Sequence, residues 1–79
     1  MERTIHNLRG LRCPMPIVRI LKIVAELAPG VECTCVADDP GFPADIEAWC
    51  RKTGHALVES ERTEEGQRVT IRKAGAESD

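Results

Sequence analysis

The chain has 79 residues, 42% of them hydrophobic and 30% charged, with a formal net charge of −2 and a pI near 5.7. That length makes one domain, residues 1–79, with a single core, and the acidic balance argues against the broad positive field of non-specific nucleic-acid or membrane-surface binders. No apolar run approaches the roughly 20 residues that cross a bilayer, and the opening MERTIHNLRG lacks the apolar core of a signal peptide, so the expected location is the cytoplasm.

Residues 3–8, RTIHNL, predict a short strand, and Arg9-Gly10-Leu11-Arg12 the loop that leaves it. A helix follows, with Ile17, Ile20, Leu21, Val24, Leu27 and Ala28 on its inner stripe and Arg19, Lys22 and Glu26 opposite. Pro29-Gly30 ends it. Residues 31–37, VECTCVA, alternate, so that Val31, Cys33, Cys35 and Ala37 share the buried face of a second strand. Asp38-Asp39-Pro40-Gly41 supplies turn and cap chemistry for a second helix. Its acidic first turns (Asp45, Glu47), basic last turn (Arg51, Lys52) and terminal Gly54 suit the helix dipole. Ile46, Trp49, Cys50 and Thr53 mark its inner stripe, while Pro43 leaves its start open by a few residues. HALVESE and QRVTIRK, joined by a polar turn containing Gly66, predict a hairpin. Val69 and Ile71 face inward there, and Leu57 and Val58 compete on the partner strand. The tail, residues 74–79, reads as frayed.

The order βαβαββ predicts an α+β two-layer sandwich: a mixed four-stranded sheet with both helices on one face, because strand–helix–strand crossovers are right-handed. Glu32, Thr34, Thr70 and Arg72 then lie on a face open to solvent.

Four cysteines, Cys13, Cys33, Cys35 and Cys50, in a reducing compartment are free thiols rather than a disulfide framework. C-x-C without a second matched pair does not make a zinc site, and no metal is expected. Cys33, Cys35 and Cys50 read as small core residues, Trp49 as core, and His6 and His55 as strand-edge polar residues. Cys13 is different. It stands directly before Pro14-Met15-Pro16 at the mouth of the first helix. With Cys13 as N-cap, Pro14 and Pro16 occupy N1 and N3, where a missing N–H costs nothing, and only the Met15 amide remains to point at the sulfur. The positive helix end then lowers the thiol pKa moderately, with Arg9 and Arg12 adding to it. No histidine base stands near in sequence. Such a setting suits a sulfur that accepts and releases a group better than an independent turnover enzyme; a capping or packing cysteine is the plainer alternative.

The run Gly10-Leu11-Arg12-Cys13-Pro14-Met15-Pro16, the helix ending in Pro29-Gly30, the segment Ala37-Asp38-Asp39-Pro40 with Asp45-Ile46 and Trp49-Cys50, and then Gly54-His55 and Ile71-Arg72-Lys73 resemble the TusA/SirA-like sulfur-carrier family over nearly the whole chain. The resemblance implies a sandwich like the C-terminal domain of bacterial translation initiation factor three. It also implies a persulfide on Cys13, with no separate cofactor. A cysteine desulfurase or a rhodanese is then the sulfur source, and a DsrE-type or other relay protein the acceptor, in tRNA thiolation, molybdenum-cofactor maturation or dissimilatory sulfur metabolism. Two positions depart from the tRNA-thiolation members: Asn7, often acidic in the family, and Met15, commonly Glu.

In the carrier reading, Arg9, Arg12, Arg19 and Lys22 flank an anionic persulfide as a basic rim, and Asp38 and Asp39 shape the same end of the domain, or simply cap the second helix. Two alternatives share the fold: a regulatory module in which Cys13 senses oxidation, and an RNA-binding module. The acidic balance and the scarcity of aromatic residues count against the second.

Overall fold

The computed structural model describes residues 5–75. Its elements run β1 (Ile5–Asn7), α1 (Met15–Ala25), β2 (Glu32–Ala37), α2 (Phe42–Thr53), β3 (Ala56–Thr63) and β4 (Gly66–Arg72). The sheet order is β1-β2-β4-β3, with β1 parallel to β2 and the other two pairs antiparallel. The expected mixed α+β sandwich is therefore present. Its core lies between the sheet and both helices: Ile20 and Val24 from α1, Phe42, Ile46 and Cys50 from α2, and Cys33, Cys35, Ala37, Val69 and Ile71 from the sheet. Leu8, just past β1, joins them and extends the parallel ladder through its N–H to the Val36 carbonyl (2.8 Å). Residues 3–4 of the expected first strand lie outside the described residues.

Helix α1 is shorter and rotated relative to expectation. Pro16, Ile20 and Val24 are its buried positions, with Ile17 and Ile23 packed at the margin. Leu21 is exposed, since one residue step turns a helix by about 100° and carries it away from Ile20. The helix ends at Ala25, before Ala28, which is also exposed. Lys73 closes that end from across the fold, donating from Nζ to the carbonyls of Ala25 (3.2 Å) and Leu27 (2.8 Å). Helix α2 has Gly41 as N-cap, Phe42 at N1 and Pro43 at N2; at N2 the missing N–H loses no intrahelical bond. Thr53 is exposed, not inner, and its hydroxyl donates to the Trp49 carbonyl (2.8 Å). Gly54 ends the helix in the left-handed region, its N–H on the Cys50 carbonyl (2.9 Å).

Two corrections and one settled alternative concern the sheet. Val31 is exposed, outside β2. A bulge between Leu57 and Glu59 lets Leu57 pack on the core and leaves Val58 exposed. Thr34 and Thr70, on the face away from the helices, are buried. They are paired across the two central strands, with Ile5 and Glu59 beside them, and their hydroxyls share a hydrogen bond of 3.1 Å. Glu32 and Arg72 on that face form an ion pair at 3.2 Å. Gly66 opens β4, leaving Glu64-Glu65 as the turn. Ala74, in the expected frayed tail, is tied down, its N–H on His55 Nδ1 at 2.9 Å; residues 76–79 of that tail lie outside the described residues.

Candidate functional site

Cys13 lies one residue outside α1, whose N-cap is Pro14, with Met15 at N1 and Pro16 at N2. The predicted frame is thus off by one. The Met15 N–H is taken by the Arg12 carbonyl at 2.7 Å, closing a turn, and is not directed at the sulfur. Pro14 instead starts the helix through its carbonyl, which accepts the Val18 N–H (3.1 Å). The prolines still do what their chemistry allows: neither removes a helical hydrogen bond, and both restrict φ on the chain that leads away from Cys13. Pro16 is buried, while Met15 is exposed.

The loop before the helix is held by the β2–α2 corner. Asp38 Oδ1 accepts the Gly10 N–H (3.0 Å) and lies 3.8 Å from the Arg12 guanidinium. Asp39 shapes the next step: its Oδ2 accepts the Gly41 N–H (3.0 Å), and its carbonyl accepts the Phe42 N–H (3.0 Å), turning the chain into α2. Both proposed tasks of this pair are therefore divided: Asp38 anchors the Cys13 loop and Asp39 starts the helix. Arg9 is not at the sulfur. Its Nε and backbone N–H both turn back to Asn7 Oδ1 (3.0 and 3.1 Å), and it lines a groove of about 580 Å³ that runs from Asp38 and Asp39 toward Arg62 and Gln67.

The residue that meets the sulfur is Asp45. From α2, its Oδ2 accepts the Cys13 Sγ–H at 3.2 Å. This contact spans 32 positions, and local spacing explains Asp45 fully as a helix N-terminal acid; only a prior assumption that α2 packs beside Cys13 could have singled it out. Cys13, Pro14, Ile17, Asp45, Ala48, Trp49 and Lys52 together line an open groove of about 310 Å³ between the helices. Trp49 is half-buried rather than sealed in the core, one face toward this groove and its ring 5.2 Å from that of His55. Burial, then the charge of Lys73, lowers the His55 pKa.

The electrostatics reverse the expected activation. The hydrogen bond to Asp45, then desolvation, then the charges of Asp45 and Asp39, push the Cys13 thiol above its ordinary value. Arg12 is engaged with Asp38 and Arg9 with Asn7, so these two arginines of the expected rim turn to other partners, and the causes that act on the thiol are the carboxylates and desolvation. The other three cysteines are buried. Burial raises Cys50, and the contact with Cys33 together with burial raises Cys35. Cys13 alone is exposed. Native alkylation by iodoacetamide is accordingly expected to label one cysteine. Its rate should be low at pH 7, where the raised pKa keeps the thiol protonated, and should climb with pH to a midpoint above the usual thiol value of about 8.5. A midpoint below that value would contradict the Asp45 contact.

Residues 4–73 match the family model described as Sulfurtransferase TusA. The chain belongs to this family. Two relatives from Neisseria meningitidis, of serogroups A and B, each named "Putative sulfur carrier protein", are 44% identical over 54 residues, 68% of this chain and 73% of theirs. The Bacillus subtilis protein named "Putative sulfur carrier protein YrkF" is 41% identical over 70 residues, 89% of this chain and 38% of its own length. Within this TusA-family domain, the cysteine of C-P-x-P is the exposed Cys13 at the groove mouth. No described helix is long and apolar enough to cross a membrane.

Proposed function

We propose that this TusA-family protein carries sulfane sulfur as a persulfide on Cys13, receiving it from a donor persulfide and handing it to a partner thiol. The observation that carries this reading is the segregation of its sulfur atoms: three thiols are buried, and the fourth stands exposed beside an open groove. A carrier needs such a sulfur, because attack and release both pass through its accessible side. Cysteine desulfurases and rhodaneses supply sulfur of the right chemistry, and DsrE-type relay proteins accept it, toward thiolated tRNA, molybdenum cofactor or sulfur oxidation.

Docking is served by the outer face of α1. Met15, Val18 and Leu21 are exposed there at intervals of three and run away from Cys13 as an apolar stripe, with Arg19 and Lys22 on the same outward side of the helix. A partner with an apolar centre and an acidic margin complements that surface.

The test is loading. Incubated with a cysteine desulfurase and cysteine, the protein is expected to gain the mass of one sulfur atom, reversibly removed by a reductant and located by peptide mapping on the Cys13 peptide. No gain from a desulfurase or a rhodanese, with Cys13 instead forming a sulfenic acid under mild peroxide, would favour an oxidation sensor.

A further inference from the structure

Asp45 treats the empty and loaded forms of Cys13 differently. The empty thiol has a proton to donate, and Asp45 Oδ2 accepts it at 3.2 Å from one fixed position on the first turn of α2. A persulfide is more acidic than a thiol, so at neutral pH the loaded sulfur is largely an anion with no proton to give. The carboxylate that stabilises the empty state then faces a like charge. Its surroundings do not cancel this. Asp39, from the β2–α2 corner, acts on Cys13 with the same sign. Arg12, beside Cys13, is drawn to Asp38. Lys52, at the far side of the groove, is the cation lining it, and the α1 wall there, Pro14 and Ile17, is uncharged.

Resting on the carrier reading above, we propose that Asp45 biases Cys13 toward delivery: it holds the empty thiol by a hydrogen bond and opposes the anionic persulfide. In delivery, a thiolate of the acceptor attacks the outer sulfur of Cys13–S–SH. A new sulfur–sulfur bond forms on the acceptor, the bond between the outer sulfur and Cys13 Sγ breaks, and its electron pair leaves on Sγ. The proton that the acceptor thiol lost restores Cys13–SH, which bonds Asp45 again. The sulfane sulfur changes owner without net oxidation or reduction. By opposing the anion, Asp45 also enlarges the neutral persulfide fraction, which is the form that an acceptor thiolate attacks. Asp45 thus shifts the balance between loaded and empty protein toward delivery.

The experiment equilibrates the reduced full chain with glutathione persulfide and glutathione at a fixed ratio near pH 7 and reads the loaded fraction by intact mass. Asp45→Asn keeps an acceptor oxygen but loses the charge, and its ratio of loaded to empty protein is expected to exceed that of the parent by about fivefold, the scale of two charges about 4 Å apart in water. Asp45→Glu, which retains the charge, should return most of the way to the parent ratio. In parallel, the pH midpoint for iodoacetamide labelling of Cys13 should fall in Asp45→Asn. Equal loading of all three proteins overturns the role of Asp45 while leaving the carrier reading standing. Failure of all three to take sulfur refutes the carrier reading, and this proposal with it.

Discussion

Cys13→Ser is expected to take up no sulfur from a cysteine desulfurase supplied with cysteine, whereas Cys50→Ala should load to the parent level. The hydroxyl is not ionised near neutral pH and makes no stable sulfur adduct, so chemistry stops at the first step. The fold should not notice the change. Cys13 is exposed, contributes nothing to the core, and its replacement can still donate to Asp45 from an oxygen. The loop that holds it is anchored by backbone and by Asp38, through the Gly10 N–H. The thermal midpoint of Cys13→Ser should therefore match the parent, which separates lost chemistry from lost structure. Cys50→Ala removes a buried sulfur from the stripe containing Phe42 and Ile46. It costs about 1 kcal/mol in stability through lost contacts and a small cavity, without touching the groove mouth. Mass spectrometry of the two variants side by side decides the matter. Persulfide on Cys13→Ser, or its loss from Cys50→Ala with the fold intact, would move the sulfur site into the core.

What the chain discloses by itself divides according to the range of the interaction. Element order and layer arrangement follow from periodicity: Ile20 and Val24 on α1, Cys33, Cys35 and Ala37 on β2, and Val69 and Ile71 on β4 all face the core, as spacings of three, four and two require. Ends and frames are less legible because they answer to distant groups. Helix α1 stops at Ala25, closed by Lys73 some 48 positions away, and no local signal competes with Pro29-Gly30 for that boundary. Thr34 and Thr70 read as surface residues until the strand order places them side by side in the middle of the sheet. The site shows the same division. Cys13 and its prolines are a local pattern, visible at once. Its electrostatics are not, since the sign of the field depends on Asp45 and on which partners Arg9 and Arg12 choose. A helix-end argument that ignores those carboxylates predicts an acidic thiol, and the assembled groups produce the opposite.

Those carboxylates are carried by the β2–α2 corner, and the second large effect is predicted beside it, at Gly66. Its φ is +135°, and a Cβ built on it would lie 2.5 Å from the Ala37 carbonyl oxygen, 3.0 Å from the carbonyl carbon and 3.2 Å from Asp38 Cα. All three atoms are backbone, so no side chain can swing aside; β2 and β4 must separate where Ala37 pairs with Gln67. Gly66→Ala is expected to cost about 2–4 kcal/mol, combining backbone strain with the clash. In a domain of this size that lowers the thermal midpoint by roughly 10 °C or more. Gly10→Ala is the matched comparison: φ is +90°, but nothing lies within 4 Å of the added carbon, leaving only the conformational cost of about 1 kcal/mol. Thermal melts followed by circular dichroism should therefore rank parent above Gly10→Ala above Gly66→Ala, and equal midpoints for the two variants would remove the close approach as a constraint. The displacement also reaches the site, because Ala37 leads directly into Asp38, which holds the Gly10 amide, and Asp39, which begins α2 and so sets the height of Asp45. Below its melting midpoint, Gly66→Ala should accordingly alkylate at Cys13 with a lower pH midpoint than the parent, as the Sγ–H loses its fixed acceptor.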